Sequence, residues 1–380
     1  MRNFTIARIW GIPIRINVSL LVFLPVLAWL IGNGGQIELY AELLGSLTDV
    51  AFDVEALTDG TTPWVIGITA AVGLFVSVTI HELGHSWIAL RYGLSIESIT
   101  LWILGGMAAL SEIPREWNRE FWIAIAGPIT SLVVGAVSYV AVLVLGSALP
   151  VARFVLGWLA LTNVILAVFN LLPAFPMDGG RILRALLART RPYGSATRIA
   201  GRIGVIFAIL FAIVGVLVFN VILLLLALFI YGAATTESRT VLLDELLEGL
   251  VVGDIMTRDP PTVSSDATVA ELVDRMVEDR QTAYPVVDEW SGEITGIVTL
   301  NELRNVREVE RDAILVGEVA REAPRVEPMA DAFETLAVLS QTKGNLLLVG
   351  DGTGIVGLLS ESDYAHAMSM QREFRVGILG

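Results

Sequence analysis

The sequence predicts a polytopic α-helical membrane part, with about six transmembrane helices and a short β element near its candidate active site, followed by a soluble α/β part built from a repeat. Three observations predict this. The 380 residues are 54% hydrophobic and 17% charged, against about 25% charged in average soluble proteins. The apolar residues concentrate before about residue 235, in runs long enough to cross a bilayer. The charge divides at the same place. From Thr236 to Gly380 there are 27 acidic and 12 basic side chains, net −15; the other 12 acidic and 13 basic residues give +1, and the sum is the −14 of the whole chain.

The first span is expected over Val18 to Ile31, extended on its N-terminal side by Ile12 to Ile16. No small-residue cleavage site follows it, so it reads as a retained span and not a signal peptide. A polar stretch, Gly32 to Thr62, carries six acidic residues and no Lys or Arg. The second span runs from Trp64 to about Leu90 and is apolar until His81, Glu82 and His85 interrupt it. Ile99 to Leu110 is apolar but too short to span, and its β-branched residues with Gly105-Gly106 predict strands or a hairpin. The third and fourth spans are roughly Phe121 to Leu145 and Val151 to Leu172. Gly204 to Ala234 is too long to cross once and reads as two spans with a turn near Phe219-Asn220.

Arginines cluster in the segments that six spans place on one side: Arg2, Arg8 and Arg15, then Arg91, Arg115 and Arg119, then a run from Arg181 to Arg202. By the positive-inside rule, the N-terminus and the soluble part are expected in the cytoplasm. In the soluble part VGDIM at 252–256 returns as VGEVA at 316–320, and GIVTLNEL at 296–303 as GLLSESDY at 357–364. A period near sixty means one supersecondary unit used twice. The expected division is a membrane domain 1–235, a linker 236–250 and two modules, 251–310 and 311–370.

Composition excludes several functions. With no cysteine there is neither disulfide nor thiolate chemistry. The acidic soluble part disfavours nucleic acid as a partner. One lysine beside 24 arginines, with excess carboxylate, hints at a salt-adapted prokaryote, although base bias explains the arginine preference equally well.

The chemistry starts at His81-Glu82-Leu83-Gly84-His85. Residues four apart share a helix face, so both imidazoles reach one ion, while Glu82 is displaced beside a bound water. A catalytic zinc needs a third protein ligand. His366 lies in the soluble repeat and reads as a surface residue. Asp178 is the better candidate. It lies in Asn170-Leu171-Leu172-Pro173-Ala174-Phe175-Pro176-Met177-Asp178-Gly179-Gly180, where prolines and glycines break a span. Non-helical backbone at that depth survives only when buried in protein or lining a wet cavity.

HELGH on one apolar helix and N-x-x-P-x-P-x-D-G-G after a later one resemble the site-2 protease family of intramembrane zinc metalloproteases. Gly105-Gly106 and Ala126-Gly127-Pro128 look like family features in the same order. The resemblance implies one Zn²⁺ per chain held by His81, His85 and Asp178, with Glu82 as catalytic base. It also implies Asn170 as a polar group holding the substrate or its oxyanion. Ser131 departs from the Asn common after the Gly-Pro pair. The repeat resembles a tandem pair of cystathionine-β-synthase (CBS) modules. That resemblance implies an adenine nucleotide (ATP or AMP) in the cleft, held through Thr299 and Glu302 and through Ser360 and Asp363, and a homodimer through the modules. Glu302 stands where the family pattern has Asp. A CBS-regulated transporter or channel for metal ions is the alternative of a different class, and a membrane-anchored protease for soluble peptides is another.

Overall fold

A computed structural model of the protein describes residues 3–48, 50–103, 105–110, 114–145, 149–351 and 354–378. The chain divides into two compact units, Met1–Arg239 and Thr240–Gly380.

The first unit opens with a β-hairpin, β1 (Asn3–Ile9) and β2 (Ile12–Asn17), turned at Trp10 and Gly11, both at positive φ. This corrects the expected extension of the first span: Ile12 to Ile16 is strand, not helix. The alternation in IPIRIN is the period of a half-buried strand, and Ile12 and Ile14 bury one face while intervening residues stay wetter. Helix α1 (Val18–Ile31) starts only after Asn17, whose side chain accepts the Ser19 N–H at 3.0 Å. It has 14 residues, about 21 Å, and meets α2 (Gly34–Thr48) at a 67° bend. The polar stretch after the first span is therefore largely helical, continuing through α3 (Val54–Thr58).

Helix α4 (Thr62–Arg91) carries HELGH in its C-terminal third. The apolar segment after it is a hairpin, β3 (Ile96–Trp102) and β4 (Gly105–Leu110), as its composition predicts; Leu104 lies outside the described residues. β3 pairs in parallel with β2, so the sheet runs β1-β2-β3-β4 and β4 is an edge. Helices α5 (Trp117–Val144) and α6 (Pro150–Asn170) follow. A short helix not foreseen, α7 (Asp178–Ala188), begins at Asp178. Then come α8 (Tyr193–Leu217) and α9 (Val221–Leu247), with Phe219 in the turn between them at φ +51°. Among the described residues five helices are long and apolar enough to cross a membrane, or six if the bent α1–α2 pair counts as one span. Large apolar side chains such as Val137, Val144 and Leu217 remain more than half exposed, as lipid-facing residues must. The stretch expected as a linker, 236–250, is mostly the end of α9.

The second unit is α10 (Val252–Ile255), β5 (Thr257–Arg258), β6 (Val263–Ser264), α11 (Val269–Asp279), β7 (Ala283–Val287), β8 (Ile294–Thr299) and α12 (Leu300–Leu303). Its second half is α13 (Val316–Val319), β9 (Arg325–Val326), α14 (Ala332–Gln341), β10 (Leu346–Asp351), β11 (Gly354–Ser360) and α15 (Glu361–Ile378). Two sheets form, β6-β7-β8 and β5-β11-β10-β9. The repeated VG(D/E) segments exchange places. Val252 packs in the core with Leu347, Val349 and Leu359, and the Gly253 N–H bonds the Pro328 carbonyl at 2.8 Å. Val316 packs with Val269, Leu272 and Val286, and the Gly317 N–H bonds the Ser265 carbonyl at 2.9 Å. Each sequence repeat thus completes the other's core. Ile297, Leu346, Leu348 and Leu358 join the two modules.

Candidate metal centre

Three ligand atoms from two distant segments meet inside the first unit. His81 Nε2 lies 3.1 Å from His85 Nε2 and 3.1 Å from Asp178 Oδ2, and His85 Nε2 lies 3.2 Å from the same oxygen. All three residues are buried. The helix repeat places both imidazoles on one face of α4. The break after α6, with its two prolines, turns the chain so that α7 starts with its carboxylate against them.

The other ring nitrogens decide what these atoms offer. His85 Nδ1 is 2.7 Å from the Ile123 carbonyl, which only accepts, so Nδ1 bears the proton and Nε2 presents a lone pair. His81 Nδ1 is 2.8 Å from the Ser131 hydroxyl, which is wholly buried. That hydroxyl can accept from Nδ1, and with Nδ1 protonated His81 Nε2 also presents a lone pair; two lone pairs and a carboxylate oxygen at this spacing call for a cation among them. Tetrahedral bonds of about 2.0–2.1 Å put ligand atoms about 3.3–3.4 Å apart, so the donor set fits zinc in both chemistry and size.

Helix α5 supplies this alignment from one face, at 123, 127 and 131. Gly127 stands between the carbonyl that orients His85 and the hydroxyl that orients His81. A Cβ there would lie 2.6 Å from His81 Nε2 and collide with the His85 ring. Ser131, which looked like a departure from a motif, is thus a partner of a candidate ligand. The four-residue spacing of 127 and 131, matching that of the two histidines, was the signal in the sequence.

Glu82 is half-buried on the flank of α4, facing β4. A Cβ on Gly106 would come within 2.5 Å of Glu82 Cγ and 2.9 Å of its Oε1, so the glycine lets the edge strand lie against this carboxylate. Asn170 is not drawn into the cluster: its amide nitrogen donates to the Leu166 carbonyl at 3.0 Å, on its own helix. His366 is exposed on α15.

The four residues expected at a nucleotide act as helix caps. Thr299 and Glu302 form a capping box on α12, the Thr299 N–H donating to Glu302 at 3.1 Å, and Arg321 lies 3.3 Å from the same carboxylate. The Ser360 N–H and hydroxyl donate to Asp363 Oδ2 at 2.8 and 2.6 Å, and the Thr257 hydroxyl donates to Asp363 Oδ1 at 2.7 Å. Thr257 and Asp363 lie 106 residues apart.

A bundle of membrane-crossing helices with a buried His-His-carboxylate cluster beside a further carboxylate defines a membrane metallohydrolase. A profile of peptidase family M50 matches residues 69–152 and 146–211, and a CBS domain profile matches 252–308. The zinc metalloprotease MJ0392 of Methanocaldococcus jannaschii is 32% identical over 372 residues, 96% of this chain and 95% of its own. Rip3 of Mycobacterium tuberculosis, a putative zinc metalloprotease by name, is 33% identical over 386 residues, covering 97% and 93% of the two chains. The solved site-2 protease from M. jannaschii is 35% identical and covers 62% of this chain and 95% of its own, with a TM-score of 0.43. The chain belongs to peptidase family M50, the site-2 protease family. It is a multi-pass membrane metalloprotease with a CBS region.

Proposed function

We propose that this protein binds one zinc ion through His81, His85 and Asp178 and hydrolyses peptide bonds in or beside transmembrane segments of other membrane proteins. The convergence of three ligand atoms within 3.2 Å of one another carries this reading. Zinc, when bound, lowers the pKa of a held water towards about 7 and polarises the scissile carbonyl. The Glu82 carboxylate takes the proton of the attacking water and hands it to the leaving amine. The β4 edge supports substrate capture: a substrate helix that unwinds pairs its backbone with this strand, and Gly106 keeps the strand close to Glu82. Asn170 contributes only by exchanging its bond to Leu166 for one to the substrate.

The N-terminus and the CBS region face the cytoplasm in this reading, supported by the arginine-flanked segments. The CBS pair binds an adenine nucleotide and pairs two copies of the chain. The Ser360–Asp363 half-site is the stronger one, because Arg321 already neutralises Glu302. Asp363→Ala is expected to weaken ATP or AMP binding to the full-length protein by about 10–100-fold, the worth of a hydrogen bond to a charged group. Calorimetry that finds no binding of either nucleotide by the wild type removes this part.

The transporter alternative loses its footing with family membership. The deciding experiment uses proteoliposomes containing the full chain and a substrate with one transmembrane helix. Cleavage is expected with zinc, is lost with a chelator and returns on adding zinc. Cleavage of soluble peptides alone favours the membrane-anchored alternative, and metal flux without cleavage favours the transporter.

A further inference from the structure

The buried side chain least expected beside a membrane is Arg184, 2% exposed on α7. Its guanidinium is fully engaged. Nη2 lies 2.6 Å and Nε 2.7 Å from Glu120 Oε1 on α5, and Nη1 lies 2.6 Å from Glu237 Oε1 on α9. Its plane sits 4.9 Å from the ring of Phe175, in the broken segment before Asp178, and 4.9 Å from the ring of Tyr193 on α8. One side chain therefore ties the Pro-rich break and α7 to three other helices.

Two of those ties lead to the metal cluster. Arg184 lies on the 11-residue helix that begins at Asp178, so whatever fixes the guanidinium fixes the position of that carboxylate. Glu120 stands one turn before Ile123, whose carbonyl orients His85. Burying an arginine and a carboxylate is costly and stabilises a fold less well than apolar packing does. A charged network retained at such cost reads first as functional.

We infer that Arg184 is a positioning residue for the metal centre, holding Asp178 in register with the two imidazoles by clamping α7 to α5 through Glu120 and to α9 through Glu237. The inference rests on the zinc-site reading above. Arginine is required, because its planar fork reaches two carboxylates in fixed directions while a lysine ammonium is a single mobile point.

The test measures zinc affinity of full-length protein in detergent by competition with a chromophoric chelator. It compares wild type, Arg184→Met, Arg184→Lys, the neutral triple variant Glu120→Gln/Arg184→Gln/Glu237→Gln, and Asp178→Asn. Arg184→Met and the triple variant are expected to lose about 10–100-fold in affinity, the loss typical when a ligand's supporting partner is removed. Arg184→Lys is expected to recover only part. A thermal melt run in parallel separates this from unfolding, since a purely structural residue shifts the melting temperature and leaves zinc affinity intact well below it. If Arg184→Met does not fold, the triple variant, which leaves no buried charge unpaired, decides. Wild-type zinc affinity in every folded variant, beside a weakened Asp178→Asn, overturns the inference. An Asp178→Asn that binds zinc as tightly as wild type overturns the zinc-site reading instead.

Discussion

Glu82→Gln is expected to abolish hydrolysis of a membrane-spanning substrate while zinc remains bound at one per chain. The change preserves shape and removes only the ability to accept a proton. Glu82 is not in the His-His-Asp cluster, and its carboxylate lies by Gly106 on the edge strand. In the proposed role this carboxylate transfers the proton, and loss of such a group costs roughly 10²–10⁴-fold in rate. The proposed zinc donors and their hydrogen bonds to Ile123 and Ser131 are untouched. Cleavage is followed by gel shift of a tagged substrate, and zinc by elemental analysis of the same sample. Wild-type turnover by this variant would sink the assignment of Glu82 as base.

The second large effect concerns the ligands. Asp178→Asn is expected to weaken zinc binding by more than the ~10–100-fold that follows loss of a ligand's hydrogen-bond partner, because it removes a ligand's charge. His85→Ala should act similarly, since the remaining two donors cannot complete a catalytic zinc site. Metal content after dialysis against a weak chelator reports both, and proteolysis should fall in proportion. A neutral amide in place of the Asp178 carboxylate keeps the size of the side chain with which α7 starts, so the fold should persist and the loss be one of affinity. Retention of a full equivalent of zinc by both variants would require another ligand set.

Much of this protein was legible because its signals are local. Hydropathy is a property of a run of residues, so spans two to four emerge within a few positions of the helices seen. Spans five and six share the expected turn near Phe219, although α8 starts at Tyr193, well before Gly204, and α9 runs on past Ala234 to Leu247. A four-residue spacing on a helix puts His81 and His85 together by geometry alone. The Pro-Gly break announced that Asp178 could not sit in a regular membrane helix. The hairpin expected within Ile99 to Leu110 was equally local, its first strand beginning a little earlier at Ile96, whereas the repeat of the soluble part showed only by comparing segments about sixty residues apart. The start of the first span was misread because Ile12 to Ile16 is apolar enough for either structure. Its alternation, and a proline that suits a strand beginning better than a helix interior, favoured strand.

What the sequence by itself determined is the succession of the long apolar helices, the membrane character of the first 235 residues and the chemical identity of the candidate donors; the N-terminal hairpin and the short helix α7 were not among its expectations. The tertiary structure decided the partnerships. Ser131 joins His81 across 50 residues, Arg184 joins Glu120 across 64 and Glu237 across 53. In the sequence Arg184 is one more basic residue in an arginine-rich segment, and Ser131 a motif's odd position. The exchange of the VGDI and VGEV segments between the two cores is likewise invisible to a repeat search, which matches each segment to its own module. The physical reason is common to all of these. Hydropathy and helical spacing act over one or two turns, whereas which buried charge meets which is settled only when helices pack and each desolvated group needs a partner.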